Sequence, residues 1–209
     1  MALLCVVVYH IDNWEAKMPA DFSENQPINP PVEDGDKLDS ANVATHMQHL
    51  VAEEGLHLEA KPDMARTAQR LAEAINDHSN FINHLGMTFS YENGQAVGRF
   101  DHTESLLGNP NFRILHGGVA ATMLDTIGGL AGMIEIYRRG QGTLEDKSNK
   151  VKRLATVDLR IDYLAPGRGK HYIATAEVIR MGRKGCTTRM MLHNDEGKAI
   201  AHGLASYAY

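Results

Sequence analysis

Residues 116–135 read HGGVAATMLDTIGGLAGMIE, and this apolar stretch decides the fold. Its length and composition predict a helix that is apolar all round and therefore buried. Such a helix needs a covering layer, and a sheet that buries one face provides it. Asp125 is the only acidic residue of the stretch before its last position, Glu135. A carboxylate is costly to bury without partners, so Asp125 is either a structural group that caps a loop or pairs with a cation, or a functional one.

Glycines lie at the start of this predicted helix and again in its second half. Gly128, Gly129 and Gly132 each cost about 1 kcal/mol relative to alanine inside a helix. They indicate either a close approach of sheet or partner backbone, or a helix that kinks or ends near Gly128. At the start, His116-Gly117-Gly118 allows a ligand to approach the backbone. The free N–H groups of a helix start can receive a developing oxyanion, although the same tripeptide is also compatible with a tight turn.

Strand patterns lie on both sides of the helix. Residues 85–91 and 95–102 flank Asn93-Gly94, which is a strong hairpin signal. Four more predicted strands follow the helix as a meander: residues 154–164, 171–181, 186–194 and 198–208. In the first of these, apolar residues alternate with charged ones and share one face: Val157, Leu159, Ile161 and Tyr163. We therefore predict an α+β fold in which an antiparallel sheet of about six strands wraps one long central helix.

The first 60 residues differ in composition from the rest. Residues 19–40 combine prolines with polar residues, a composition typical of a linker. Residues 41–54 and 63–78 show helical spacing, and Asp63 is placed to cap the second helix. We predict an N-terminal extension over residues 1–60, partly linker and partly helical, and a folded domain with a leading helix over residues 61–209.

Composition narrows the class of protein. The 209-residue chain has a formal net charge of −5, whereas nucleic-acid binders are normally basic. Two cysteines cannot form a disulfide framework, which suits a reducing compartment. The apolar start MALLCVVV lacks the basic region and cleavage site of a signal peptide and is shorter than the ~20 residues that span a bilayer. With no other segment expected to reach that length, we predict a cytoplasmic protein without nucleic-acid or membrane partners.

Several separated motifs together resemble the hot-dog-fold thioesterases of the phenylacetate-pathway type, within the 4-hydroxybenzoyl-CoA thioesterase superfamily. The motifs are HGGVAATMLDTIGG, ATVDLRIDYLAP, RMGRKG and DEGKAIAHGLASY, in that order within residues 80–209. The resemblance implies a hot-dog fold and the hydrolysis of acyl-CoA thioesters without a cofactor. It also implies a homodimer whose sheets join, often paired into a dimer of dimers.

The same resemblance assigns roles to individual residues. Asp125 matches the aspartate that activates the attacking water or acts as nucleophile, and Gly117 matches the glycine whose N–H polarises the thioester carbonyl. His116 shapes the loop before the helix, unless it is only a polar residue at a helix start. Thr156 matches a position that orients the water, unless it is an ordinary strand threonine.

One motif departs from the family pattern. The family usually has Asn-Pro-x-Gly before the HGG, with the Asn six residues before the His. Here GNPNFRILHGG has Asn109 seven residues before His116 and lacks that glycine. Asn109 reaches the site if the loop bulges, and Asn111 can replace it. Both are equally compatible with turn residues.

A cationic turn is the candidate CoA-binding region. Arg180 precedes Gly182, Arg183 and Lys184 between two predicted strands. The resemblance implies that this region, together with Gly118, contacts the CoA phosphates or pantetheine, and a solvated hairpin tip is the alternative. No metal site is predicted, because the pairs His46/His49 and His78/His84 lack supporting ligands.

Two other functions are compatible with a fold of this kind, a non-catalytic acyl-CoA sensor and a dehydratase. A non-catalytic acyl-CoA sensor can share this fold, but it does not need a buried acid. A dehydratase is disfavoured because the chain has no HxxxP-type loop.

Gly117 and Asp125 are eight residues apart, about 12 Å along one helix, whereas groups that act on one carbonyl lie within about 3.5 Å of it. The sequence therefore predicts that each active site is built from two subunits.

Overall fold

A computed structural model describes residues 63–209. The predicted linker over residues 19–40 and the predicted helix over residues 41–54 lie outside them, and the domain boundary at residue 60 stays a prediction. The described helices are α1 (Met64–His78), α2 (Asn80–His84), α3 (Gly117–Arg139) and α4 (Leu144–Lys152). The strands are β1 (Thr88–Glu92), β2 (Gln95–Asp101), β3 (Leu107–Asn109), β4 (Ile114–Leu115), β5 (Ala155–Tyr163), β6 (His171–Met181), β7 (Gly185–Asn194) and β8 (Ala199–Ala208).

One six-stranded sheet packs on the central helix α3. Its order is β1-β2-β6-β7-β8-β5, and every neighbouring pair is antiparallel. The middle of α3 supplies side chains that are fully buried against the sheet: Met123, Leu124, Ile127, Leu130 and Met133. The predicted α+β architecture, with about six strands around one long helix, is confirmed.

The predicted four-strand meander is wrong for its first strand. Strands β6, β7 and β8 are consecutive neighbours, but β5 lies beyond β8 at the sheet edge. The link over residues 164–170 therefore passes three strand spacings, about 14 Å, which its seven residues span easily. Its main chain is fixed on the way, because Leu164 N donates to Ile200 O at 2.9 Å and Leu115 N donates to Gly167 O at 2.9 Å.

Helix α1 covers the opposite edge of the sheet. It begins as predicted after Asp63, whose carboxylate accepts hydrogen bonds from Ala65 N and Arg66 N. The side chain of Asn76 donates to Phe89 O and accepts from Phe89 N, both at 2.8 Å, and Gln69 accepts from the next free N–H of β1. An exposed edge strand is a template for unwanted pairing. These two amide side chains occupy the edge of β1.

Two helices are missing from the sequence prediction. Helix α2 ends at His84, and its cap Leu85 together with Gly86, which has φ +67°, occupies the start of the predicted strand 85–91, so β1 begins only at Thr88. Helix α4 begins with a capping box in which Thr143 Oγ1 accepts from Asp146 N and Asp146 accepts from Thr143 N. That T-x-x-D pattern is a readable start signal. The hairpin at Asn93-Gly94 is confirmed, with positive φ at both residues.

The helical glycines make room for side chains of the sheet. Helix α3 continues to Arg139, so the alternative of an end near Gly128 is wrong. A methyl group at Gly128 would meet Tyr207, Thr188 and Met190, and one at Gly132 would lie 3.0 Å from Cys186 Sγ. The close approach is therefore made by side chains of β7 and β8 rather than by backbone.

The alternation predicted for β5 breaks at Val157. The register shifts between Thr156, which pairs with Tyr207, and Asp158, which pairs with Ser206, so Val157 is an extra residue in a β-bulge. Val157 is 65% exposed and does not share the buried face of Leu159. The bulge instead turns Thr156 toward the central helix, in the way that bulges re-aim side chains.

Helix α3 is the one described helix that is long and apolar enough to cross a membrane. The expectation that no segment reaches such a length is therefore wrong. Within its apolar window, 78% of the residues are buried inside the protein, which is the pattern of a core helix. The cytoplasmic location stays a prediction from the sequence.

Candidate active site

Asp125 lies in the middle of α3 and faces the bulged end of β5. Its carboxylate Oδ1 accepts a hydrogen bond from Thr156 Oγ1 at 2.9 Å. The carboxylate is half-buried, and no lysine or arginine among residues 63–209 forms an ion pair with it. Within this range, the structural alternative of a buried ion pair therefore has no support.

Burial raises the pKa of Asp125 above its ordinary value, and the hydrogen bond from Thr156 together with the nearby hydroxyl of Tyr207 partly opposes this shift. A carboxylate with a raised pKa binds a proton more tightly. Because a general base works best when its pKa approaches the working pH, this environment suits the removal of a proton from water.

The start of α3 forms a second group of predicted residues. His116 caps the helix, and its Nδ1 accepts a hydrogen bond from Gly118 N at 2.9 Å; the neutral ring therefore carries its proton on Nε2. The carbonyl of Gly117 accepts from the Tyr163 hydroxyl at 2.9 Å. Gly117 N donates no hydrogen bond to any other residue in the described part of the chain. Of the two glycine donors, Gly117 N–H is therefore the one available to a ligand.

A cavity of about 520 Å³ opens at this helix start. Its wall is mostly apolar and combines the first turn of α3, the end of β5, the following link and the start of β8: Gly117, Gly118, Tyr163, Leu164, Pro166 and Ile200. Asp125 is not part of the wall. Along α3 the two groups are about 12 Å apart, so one protomer does not bring Gly117 N–H and the Asp125 carboxylate to the same atom.

Asn109 lies in the small β3–β4 hairpin before α3. The register shifts at Gly108, and a methyl group at Gly108 would lie 2.7 Å from His116 Cα. The loop thus bulges, as the longer spacing requires, and packs against the helix start. Within the hairpin, the side chain of Asn109 accepts from Asn111 N at 3.0 Å. Both asparagines therefore build the turn, and their contact with a substrate stays a prediction.

The cationic turn lies at the other end of the sheet from the cavity. Gly182 N donates to Gly185 O at 2.8 Å, and the Tyr209 hydroxyl donates to Gly182 O at 2.7 Å. Gly185 pairs with Ala208, which pairs with Ala155. Two strand spacings, about 10 Å, therefore separate the turn from the start of β5. Arg180, Arg183 and Lys184 are exposed and lie at the end of the sheet that holds Asp125 and Thr156.

The predicted residues thus lie in three places: the start of α3, the Asp125–Thr156 pair and the cationic turn. The pair lies between the other two. Two tyrosines were not predicted to contact the site, Tyr163 at Gly117 and Tyr207 at Asp125. For Tyr207 the one available signal is weak, namely that a buried tyrosine hydroxyl needs a partner. Tyr163 is exposed, so this signal does not apply to it. Among residues 63–209, no group of three or more His, Cys, Asp or Glu could hold a metal ion, and independence of cofactors stays a prediction.

The environment of Asp125 predicts a pH-dependent stability. Because the folded-state pKa is raised, the unfolded chain ionises first as pH rises, and the native state loses stability above the ordinary Asp pKa. We expect Asp125→Asn to raise Tm relative to wild type at pH 7 and to raise it less at pH 4. Thermal unfolding at both pH values measures this. An advantage of equal size at the two values would mean that the buried charge is not the cause.

Comparison with known proteins gives consistent matches. The sequence pattern of the thioesterase superfamily matches residues 112–201. The medium/long-chain acyl-CoA thioesterase YigI of Escherichia coli (strain K12) is 39% identical over 147 residues, which cover 68% of this chain and 95% of that protein.

Solved structures match over the same part of the chain. A Shewanella oneidensis protein related to the thioesterase superfamily superposes with a TM-score of 0.66 at 37% identity, covering 71% of this chain and 99% of that one. The Escherichia coli PaaI protein from the phenylacetic acid degradation operon has a TM-score of 0.54 at 21% identity, covering 69% of this chain and 94% of that one. At that identity, the PaaI match concerns the fold alone.

Proposed function

The chain belongs to the thioesterase superfamily, with a hot-dog fold, and from this premise we propose that it hydrolyses medium- to long-chain acyl-CoA thioesters to a free acid and CoA. The observation that carries the proposal is the half-buried carboxylate of Asp125, held by Thr156 without a described cation beside it. The chain length follows the name of the relative at 39% identity, and the apolar cavity beside Gly117 suits an aliphatic group.

The proposed chemistry uses two groups. Gly117 N–H binds the thioester carbonyl oxygen and stabilises the negative charge that develops on it. The Asp125 carboxylate removes a proton from water while the water oxygen attacks the carbonyl carbon, or it attacks the carbon directly and the resulting anhydride is hydrolysed. In both routes the C–S bond breaks, and CoA leaves as a thiolate that takes up a proton. Thr156 orients the carboxylate and water.

Thiol release tests this proposal. We expect a panel of acyl-CoAs with increasing chain length to show the highest kcat/KM at medium and long chains. Release that is fast only for short or aromatic acyl groups would contradict the assigned chain length. If the protein binds acyl-CoAs but releases thiol from none of them, it is a binding module.

We further propose that the active form is a homodimer in which each site takes Asp125 from one protomer and Gly117 from the other. The edge of β1 is occupied by α1, whereas no described residue forms main-chain hydrogen bonds with the outer edge of β5. Along and just beyond that edge lie three exposed apolar side chains: Val157, Tyr163 and Leu164. Such a patch is typical of an interface. A two-fold pairing of β5 edges sets the two α3 helices side by side and antiparallel.

The cationic turn is proposed to bind the CoA phosphates. Arg183 and Lys184 are exposed at the end of the sheet that holds Asp125. We expect Arg183→Ala and Lys184→Ala to raise KM for acyl-CoA more than they lower kcat, because this contact is remote from the reacting carbonyl. The effect should shrink as ionic strength rises.

Steady-state kinetics with two substrates tests this assignment. An acyl-pantetheine lacks the nucleotide, so its KM should not change in either variant. Lys198→Ala is the matched control, because this exposed lysine lies in the β7–β8 turn at the opposite end of the sheet. An equal rise in KM for acyl-pantetheine, or the same rise in Lys198→Ala, would refute the phosphate contact.

A further inference from the structure

Tyr207 contacts Asp125 from the strand next to Thr156. Its side chain is 1% exposed, and its hydroxyl donates to the main-chain carbonyl of Asp125 at 2.8 Å. Thr156 and Tyr207 are direct partners in the β5–β8 register. Two neighbouring strands therefore hold one residue of the helix, β5 at its carboxylate and β8 at its backbone.

Gly128 provides the space for this contact. It lies one turn after Asp125 on α3, and a methyl group there would collide with the Tyr207 hydroxyl and lie 2.8 Å from Thr188 Oγ1. Glycine is unfavourable inside a helix. Its presence here is therefore explained by the tyrosine, whose hydroxyl reaches the helix backbone only where no Cβ intervenes.

The tyrosine remains a hydrogen-bond donor at any working pH. Burial raises the pKa of Tyr207, and the neighbouring charge of Asp125 raises it further. The nearby thiol of Cys186 also stays protonated, since burial raises its pKa to about 11. The contact is therefore a permanent neutral hydrogen bond, unlike an ion pair that is lost on titration.

We propose that Tyr207 is a positioning residue for thioester hydrolysis. Its hydrogen bond fixes the distance from the sheet and the rotation of the helical turn that carries Asp125. This inference rests on the proposed function of Asp125. A carbonyl in mid-helix already accepts one hydrogen bond from the N–H four residues later, and the tyrosine adds a second that ties this turn to the sheet. A catalytic group must be held to about 0.5 Å, and a displacement of about 1 Å can cost roughly 100-fold in rate. Thr156 alone fixes only the end of the side chain.

The experiment is a set of single-atom variants in the full chain. Tyr207→Phe removes the hydroxyl and leaves the ring, and we expect kcat for acyl-CoA to fall about 10-fold with KM changed less than about 2-fold. Tyr172→Phe is the matched control, because Tyr172 is also fully buried but its hydroxyl bonds His102 instead of the central helix. It should keep wild-type kcat. Gly128→Ala, which keeps the tyrosine but displaces its hydroxyl, should lower kcat like Tyr207→Phe.

A double-mutant cycle with Asp125→Asn separates positioning from general stability. If Tyr207 acts through Asp125, adding Tyr207→Phe to Asp125→Asn lowers the residual activity no further. A merely structural role predicts an equal fractional loss in both backgrounds and overturns the proposal. Wild-type kcat in Tyr207→Phe and Gly128→Ala also overturns it, while the proposed function stands. Wild-type kcat in Asp125→Asn is a different result, because it removes the proposed function itself. Should Tyr207→Phe melt below the assay temperature, Gly128→Ala decides alone.

Discussion

Asp125→Asn is expected to lower kcat for acyl-CoA hydrolysis by at least ~100-fold, the usual scale for the loss of a general base. The amide cannot accept a proton from water at neutral pH and is a poor nucleophile. It still offers an oxygen that accepts the hydrogen bond from Thr156 Oγ1, which is 2.9 Å from the carboxylate in the wild type. The variant should therefore fold and bind substrate, so that the loss appears in kcat.

The matched control is Asp158→Asn. Asp158 is exposed and follows the bulge on the same strand as Thr156, so its replacement also removes one negative charge near the site. It should retain wild-type kcat. Thiol-release kinetics on both variants, with a thermal melt to establish folding, decides the matter. Wild-type turnover in a folded Asp125→Asn protein would end the catalytic role of this residue.

Heterodimers of two inactive chains are expected to recover activity. One chain carries Asp125→Ala and the other carries Gly117→Val, which crowds Tyr163 because a Cβ at Gly117 lies 3.1 Å from its hydroxyl. In a composite arrangement both defects fall in one site of the heterodimer, and the other site keeps an intact Asp125 and an intact Gly117. Purified heterodimers should show about half of the wild-type turnover per dimer, while each parent homodimer shows almost none.

The reciprocal pairing sharpens the result. A chain with both substitutions, paired with a wild-type chain, puts one defect into each composite site and should be inactive. If the site instead lies within one subunit, this second heterodimer keeps half of the activity and the first recovers none. The two arrangements thus give opposite outcomes in both samples. Differently tagged chains allow the heterodimers to be isolated before assay.

The elements that follow from short-range patterns were predictable. An uninterrupted apolar stretch gave α3, Asp63 marked the start of α1, and Asn93-Gly94 marked the hairpin, because each depends on residues close in sequence. The position of β5 was not predictable. The link over residues 164–170 has the same turn residues whether the next strand lies adjacent or three spacings away, and only contacts with Leu115 and Ile200 distinguish the two.

The candidate site was predictable where polarity conflicts with its surroundings. Asp125 is conspicuous as an acid in an apolar helix, and the structure gives it a hydrogen-bond partner in Thr156. The contacts of Tyr163 and Tyr207 were not predictable. The first joins residues 46 positions apart and the second joins residues 82 positions apart, and tyrosine is common in strands for other reasons. Gly128 indicated that some group approaches the helix closely at this point, because glycine is unfavourable inside a helix, but it did not identify that group as Tyr207.

Val157 has a consequence for how this strand is compared between relatives. As an extra residue, it interrupts the alternation of side chains along the strand. Before Val157 the even-numbered positions point toward the helix, and after it the odd-numbered positions do. An alignment that places a gap on the wrong side of position 157 would equate Thr156 with a neighbour's surface residue and still score well. For the same reason, the deletion of Val157 changes no chemistry at Thr156 but reverses the side on which the first residues of β5 lie. In this strand, one residue of length determines whether the hydroxyl faces Asp125 or the solvent.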